Sequence, residues 1–226
     1  MTTRRLRILG SRGIPNRHGG FESCAEQLAP WLVERGWDVT VYCQEPAGSP
    51  RHTSTWRGVT LEHVPTPWDG ARGSVWFDAW TTRHAARHDA LVLTLGFNTA
   101  VFFPWHNLRG RRHVVNMDGV EWRRGKWPRP VRGWFYANSW VAGLAADHLI
   151  ADQDRESALL PCHIGKHQLQ LRSDIALRPA VTELGGRAAE GHRAIGLAET
   201  VHESVHAGIL ATVGDQGIAG GVHDMD

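Results

Sequence analysis

Leu6-Arg7-Ile8-Leu9-Gly10-Ser11-Arg12-Gly13-Ile14-Pro15-Asn16-Arg17-His18-Gly19-Gly20-Phe21-Glu22 is the stretch whose reading decides the fold. Leu6–Leu9 is a short apolar run, as a buried strand requires. From Phe21 to Arg35 apolar residues recur at helical spacing: Phe21, Cys24, Ala25, Leu28 and Leu32. Glu22 and Glu26 suit the positive first turn of that helix, and Gly36 stops it. Between strand and helix lies a cationic loop with four glycines, Gly10, Gly13, Gly19 and Gly20. Such a loop presents bare backbone N–H groups beside a helix N-terminus, which is a setting for a phosphorylated ligand. Arg12, Gly13, Arg17, His18, Gly19, Gly20 and Glu22 are therefore candidate ligand contacts. The loop is neither the Gly-x-Gly-x-x-Gly dinucleotide fingerprint nor a Walker A sequence.

Working outward, Asp38–Cys43 reads as a β-branched second strand, completing a β-loop-α-β unit. Residues 44–57, punctuated by Pro46, Gly48 and Pro50, read as loop. Val59–Val64 alternates like a third strand. Ser74–His88 reads as a helix with Val75, Ala79 and Ala86 on one face. Ala90–Leu95, Arg112–Met117 and Asp147–Ala151 supply a fourth, fifth and sixth strand, and a helix fills about 130–146. Strands alternating with helices predict an α/β fold: a doubly wound, mostly parallel Rossmann-like sheet with helices on both faces. Ligands of such sheets sit outside the carboxyl ends of the strands. Three segments should meet there: residues 10–20, Gly96-Phe97-Asn98, and Asp118-Gly119-Val120-Glu121-Trp122.

The chain has 226 residues and a formal net charge of +2, too small to point to nucleic acid as a partner. Cys24, Cys43 and Cys162 form no CxxC pattern and no disulfide framework, which fits reduced thiols. The 14 histidines show no HExxH or Cys/His ligand spacing, so no metal and no resident cofactor is expected. The opening Met1–Leu6 lacks the apolar core of a secretory signal, which predicts a cytoplasmic protein. Residues 122–140 interleave Arg and Lys with Trp, Phe and Tyr, a pattern suited to peripheral contact with anionic lipid.

Composition breaks near residue 152. Every Trp, Phe and Tyr lies at or before Trp140. Residues 1–152 carry 19 basic and 13 acidic side chains; residues 153–226 carry 6 and 10. A core normally draws on large aromatics. Two domains are read: 1–152, Rossmann-like, and 153–226, an atypical tail. The tail is either a helical Ala/Leu-based segment or the product of truncation or a frameshift.

Four ordered blocks carry a family resemblance: residues 10–22; Leu28–Gly36 with Asp38–Cys43; Val114–Trp127; and Ala145–Asp152. They resemble bacterial glycosyltransferases of the retaining GT4 group, in the rhamnosyltransferase-like branch. The resemblance implies one half of a GT-B architecture, in which two Rossmann-like domains flank a cleft. It implies transfer of a sugar from a nucleotide-sugar donor to a glycan or lipid-linked acceptor in cell-surface polysaccharide synthesis, at the inner membrane face. Residues 1–152 correspond to the acceptor-side domain. The donor-side pair of glutamates with seven residues between them has no counterpart; Glu183 and Glu190, with six residues between them, are the nearest match. Asp118 and Glu121, after a central strand, are the candidates for orienting or deprotonating an acceptor hydroxyl. An Asx-turn and a first-turn helix charge are their structural alternatives. Asn98 suits a sugar hydroxyl or a turn equally. A non-catalytic acceptor-binding module, or another nucleotide-binding Rossmann protein, remains the competing expectation.

Overall fold

The computed structural model describes residues 4–17, 19–117, 121–151 and 168–169. Strand β1 (Arg5–Leu9) leads through the glycine loop into α1 (Gly20–Val33), then β2 (Asp38–Glu45), β3 (His52–Trp56) and β4 (Val59–Pro65). Helix α2 (Gly70–Ala85) precedes β5 (Leu91–Leu95). A 3-10 turn (Ala100–Phe102) and short α3 (Pro104–Leu108) lead to β6 (His113–Met117). A second 3-10 turn (Glu121–Arg123), α4 (Arg129–Ala145), β7 (His148–Ala151) and β8 (Gln168–Leu169) follow.

The sheet order is β3-β4-β2-β1-β5-β6-β7-β8. All neighbours are parallel except β3 with β4. The chain winds one way from β1 to β2 and returns to β5 on the other side of β1. The switch point of this doubly wound sheet therefore lies between β1 and β5. The predicted fold class is the one observed.

Parallel strands buried on both faces need apolar cover on each. Leu28 and Leu32 of α1 pack over Leu6, Ile8, Val39 and Val41 on one face. Phe77 and Ala85 of α2 cover Leu9, Tyr42, Val64 and Val92 on the other. Ala142 and Ala145 of α4 pack near Val115, Met117 and Phe103. Val115 pairs with Thr94, which pairs with Leu9, so α4 shares the α2 face.

Three readings are corrected. Residues 44–57 are not all loop: β2 extends to Glu45 and His52–Trp56 forms the antiparallel edge strand β3. Its polar His-Thr-Ser-Thr sequence belongs to a half-exposed edge, where no apolar alternation is needed. Helix α2 starts at Gly70, not Ser74. Its buried face is Gly73, Phe77, Thr81, Thr82 and Ala85, while Val75 is exposed; packing against Tyr42 and Val64 overrides the weak apolar periodicity. Glu183 and Glu190 lie outside the described residues.

Candidate functional site

The glycine loop straddles the end of β1, and two glycines fix its path. Gly10 has φ +83, and a Cβ there would lie 2.0 Å from the Leu95 carbonyl oxygen of β5. Gly13 has φ +120, and its Cβ would lie 2.9 Å from Cys43 Cα of β2. Both positions combine a left-handed backbone with contact against neighbouring main chain, so only glycine fits. The Arg12 carbonyl accepts from Gln44 N–H at 2.9 Å, anchoring the loop to β2. Ile14 then enters the core.

Gly19 and Gly20 are different. Gly19 is extended, with φ 177, and an added Cβ would meet only Glu22 Oε2, at 3.5 Å. An added Cβ at Gly20 would meet nothing within 4 Å. Neither backbone nor packing demands glycine at these two positions.

Helix α1 clamps the loop through its acids. Glu22 Oε1 accepts from Arg12 N–H at 2.8 Å, and Glu26 Oε2 accepts from Asn16 N–H at 2.8 Å. The Gly19 N–H donates to Asn16 Oδ1 at 3.2 Å. Several loop amides thus serve the loop's own architecture. Glu22 is buried, and its carboxylate is a fixed part of the rim.

Two cavities open on this rim, and Arg12 lines both. The smaller, about 250 Å³, sits at the switch point and is walled by Arg12, Glu22, Asp78, Gly96, Asn98 and Thr99. The larger, about 690 Å³, lies between the loop and the ends of β2 and β4. Arg12, Arg17, Glu45, Trp56, His63 and Asp69 are among its walls. The loop and the Gly96–Asn98 segment, distant in sequence, therefore meet as the topology requires.

Asp78 escaped the sequence reading. Its Oδ2 accepts from Thr99 Oγ1 at 2.9 Å inside the smaller cavity. Burial pushes its carboxyl up to about 6, against the opposing pull of the Thr99 hydrogen bond and the Arg12 charge. The available signal was an acid set among Phe77, Thr81 and Thr82 on one side of a helix. Glu45, His63 and Ser54 were also missed, because two of them lie on or beside a segment read as loop.

Glu121 is buried and held by three partners. Trp127 Nε1–H donates to Oε2 at 2.8 Å, Arg124 Nη1 lies 2.8 Å from Oε1, and Lys126 Nζ lies 4.0 Å from Oε2. These contacts organise the turn before α4, and Glu121 is not on the wall of either cavity. Asn98 is exposed; its carbonyl accepts from Trp134 Nε1–H at 2.8 Å, joining α4 to the rim. His18 and Asp118, with Gly119 and Val120, lie outside the described residues. Asn116, two residues before Asp118, is fully buried, and its side-chain amide has no hydrogen-bond partner among the described residues. No cluster of three metal-ligating side chains is found among the described residues.

The mostly parallel sheet, with a ligand-sized rim at its switch point, gives the chain an α/β, Rossmann-like fold. In fold it is similar to the crystal structure of an alpha,alpha-trehalose-phosphate synthase (UDP-forming) from Burkholderia xenovorans in complex with glucose-6-phosphate. The TM-score is 0.50 at 11% identity, over 71% of this chain and 43% of that one. A second similar structure is an E. coli protein described as "Trehalose-6-phosphate from E. coli bound with UDP-2-fluoro glucose". There the TM-score is 0.43 at 12% identity, over 70% of this chain and 42% of that one. This chain thus spans less than half the length of these solved relatives. No curated protein matches it. The chain belongs to the family described as Domain of unknown function (DUF1972), whose model matches residues 3–161.

Proposed function

We propose that this chain is the acceptor-side half of a retaining, GT4-type glycosyltransferase of the rhamnosyltransferase-like group. The parent reaction moves a sugar from a nucleotide-sugar donor to a glycan or lipid-linked acceptor in polysaccharide synthesis. One observation carries this reading. Gly10 and Gly13 are glycine because the fold demands it, whereas Gly19 and Gly20 are not. A loop that stays bare where nothing in the protein crowds it leaves room for a ligand's close approach. Arg12 and Arg17 supply positive charge for the diphosphate that leaves as the glycosidic bond breaks. Helix α1 adds its N-terminal dipole.

Asp118 remains the proposed acceptor-side carboxylate. The partners of Glu121 favour a supporting role for it. Asp78, in the smaller cavity, is a further carboxylate for a sugar hydroxyl. Arg129, Arg132, Trp134 and Tyr136 are exposed on α4, which supports peripheral contact with anionic lipid at the inner membrane face. No helix among the described residues is long and apolar enough to cross a membrane.

The test is ligand-observed NMR of the full chain with UDP-, dTDP- and GDP-sugars, followed by assay of nucleoside diphosphate release. Binding that weakens at least ~10-fold in Arg12→Ala, a loss of about 1.4 kcal/mol, supports the reading. Absence of binding by every donor, or equal binding by Arg12→Ala, overturns it.

A further inference from the structure

The larger cavity contains a hydrogen-bonded chain built across three neighbouring strands. His63 of β4 pairs in register with Cys43 of β2 and His52 of β3. Alternation then puts Glu45, His63 and Ser54 on one face of the sheet. Glu45 Oε1 lies 2.7 Å from His63 Nδ1, and Ser54 Oγ lies 2.8 Å from His63 Nε2. The His52 ring stacks on His63, with centroids 4.1 Å apart and planes 3° from parallel. All three members of the chain line the cavity, with Arg12 and Arg17 on the loop side.

The partners set the direction of this chain. With a neutral imidazole, Nδ1–H donates to the Glu45 carboxylate, so Nε2 accepts from the Ser54 hydroxyl. The Ser54 proton is thereby committed. What Ser54 offers the cavity is an oxygen whose acceptor strength is raised by the donors aligned behind it. Such an oxygen takes a ligand hydroxyl. A phosphate oxygen without a proton has nothing to donate to it. Trp56, on the same strand and the same cavity wall, provides an aromatic surface for the C–H face of a sugar ring.

We propose that Glu45–His63–Ser54 is a hydroxyl-receiving relay that binds a pyranoside in the larger cavity and takes up the proton of the hydroxyl it holds. The proton-uptake half rests on the glycosyl-transfer reading; the binding half does not. In the transfer, the acceptor hydroxyl passes its proton to Ser54 Oγ while Ser54 passes its own to His63 Nε2. The acceptor oxygen forms the bond to the anomeric carbon of the nucleotide sugar. The bond from that carbon to the diphosphate oxygen breaks, and its electron pair leaves with the nucleoside diphosphate. The imidazolium, held by Glu45, then releases its proton to solvent. His63 and Glu45 act through Ser54 and are positioning residues.

The experiment titrates the full chain with methyl glucoside, methyl galactoside and methyl mannoside. It follows the His63 ring resonances by NMR and Trp fluorescence in parallel. The expected result is a saturable His63 shift with millimolar affinity for one glycoside. Affinity should fall ~10-fold in Ser54→Ala with an unchanged melting temperature. Glu45→Gln, which keeps the shape but removes the charge, should weaken binding several-fold. The relay is overturned if no glycoside moves the His63 signals up to about 50 mM, well above a millimolar Kd, or if Ser54→Ala binds as tightly. Glycoside binding without turnover of any nucleotide sugar upholds the binding half and removes the transfer reading. Turnover that is insensitive to Ser54→Ala removes the relay alone.

Discussion

The backbone N–H of Arg12 donates to the carboxylate of Glu22 at 2.8 Å, so the loop leaving the first strand is held by the first turn of the helix it feeds. A helix N-terminus attracts anions, and here the protein supplies one of its own beside the rim. Glu22 is buried, so the contact is a charge-assisted hydrogen bond in a partly dehydrated setting. Replacing Glu22 with Ala should cost about 1–3 kcal/mol. Glu22→Gln should retain part of that, since its amide oxygen still accepts. Urea unfolding measures the loss, and hydrogen exchange at the Arg12 amide locates it; unchanged protection at Arg12 would show the clamp to be idle.

The glycines of the same loop should separate into two classes. Gly10→Ala places a Cβ 2.0 Å from the Leu95 carbonyl oxygen in a left-handed backbone, and neither strand can yield easily. A loss of roughly 3 kcal/mol or more, or failure to fold, is expected. Gly20→Ala meets nothing within 4 Å and lies at the start of a helix, where alanine is favoured. Its stability should be equal or higher by up to about 1 kcal/mol. Nucleotide-sugar binding should nevertheless weaken. Thermal melts of the two variants beside wild type decide the first point, and the ligand titration decides the second. A Gly20→Ala variant that melts early would mean that the helix start needs glycine for its own sake.

Such a division also shows what was legible beforehand. The loop, its flanking strand and helix, and its meeting with Gly96–Asn98 followed from residue order, because the doubly wound topology leaves one rim for them. Strand β3 did not, since His52–Trp56 has the composition of a loop and becomes a strand only by pairing with β4. Losing β3 meant losing Ser54, and with it the contact that gives His63 and Glu45 their significance. Asp78 was hidden for a related reason. The apolar residues Val75, Ala79 and Ala86 suggested one buried face, while the observed face carries Gly73, Phe77, Thr81, Thr82 and Ala85, of which Phe77 and Ala85 pack with Tyr42 and Val64. Cross-strand register and helix rotation are tertiary quantities, and a single sequence encodes them weakly.

Acid sensitivity should arise from two buried histidines. His106 and His113 are fully buried with ring centroids 4.5 Å apart. Neither ring nitrogen of His106 has a partner among the described residues; His113 reaches Thr94 Oγ1 through Nε2 at 2.8 Å. Burial pushes His106 down to about 4 from its ordinary 6.5, and His113 moves the same way through burial and the His106 charge. The folded state therefore binds fewer protons than the unfolded chain between these values. The contribution is complete above pH 6.5 and is lost as pH falls through 4. For His106 it is on the order of 3 kcal/mol. The melting temperature should drop on acidification from pH 7 to 4.5, and His106→Leu should flatten that drop. A parallel fall in both proteins would place the sensitivity elsewhere.

Asp78 should behave in the opposite sense. Its carboxyl titrates near 6 in the folded state, above the ordinary 3.8, with burial as the main cause. The folded protein then binds more protons than the unfolded chain between pH 3.8 and 6. The associated stability is full below 3.8 and is lost as pH rises through 6. At neutral pH the ionised carboxylate is a net cost, eased by Thr99 and Arg12. Asp78→Asn should therefore raise stability by about 1–2 kcal/mol at pH 7.5, less than the bare shift implies because the side chain is partly solvated. The gain should vanish near pH 4. A group kept at a cost to stability in a polar cavity is the pattern of a working site, where ligand binding supplies what the folded chain lacks. The same variant should accordingly bind nucleotide sugar or glycoside more weakly. If Asp78→Asn is more stable at pH 7.5 and binds both ligands as well as wild type does, Asp78 has no part in recognition. If it is less stable at pH 7.5, the hydrogen bond to Thr99 outweighs the burial of the charge.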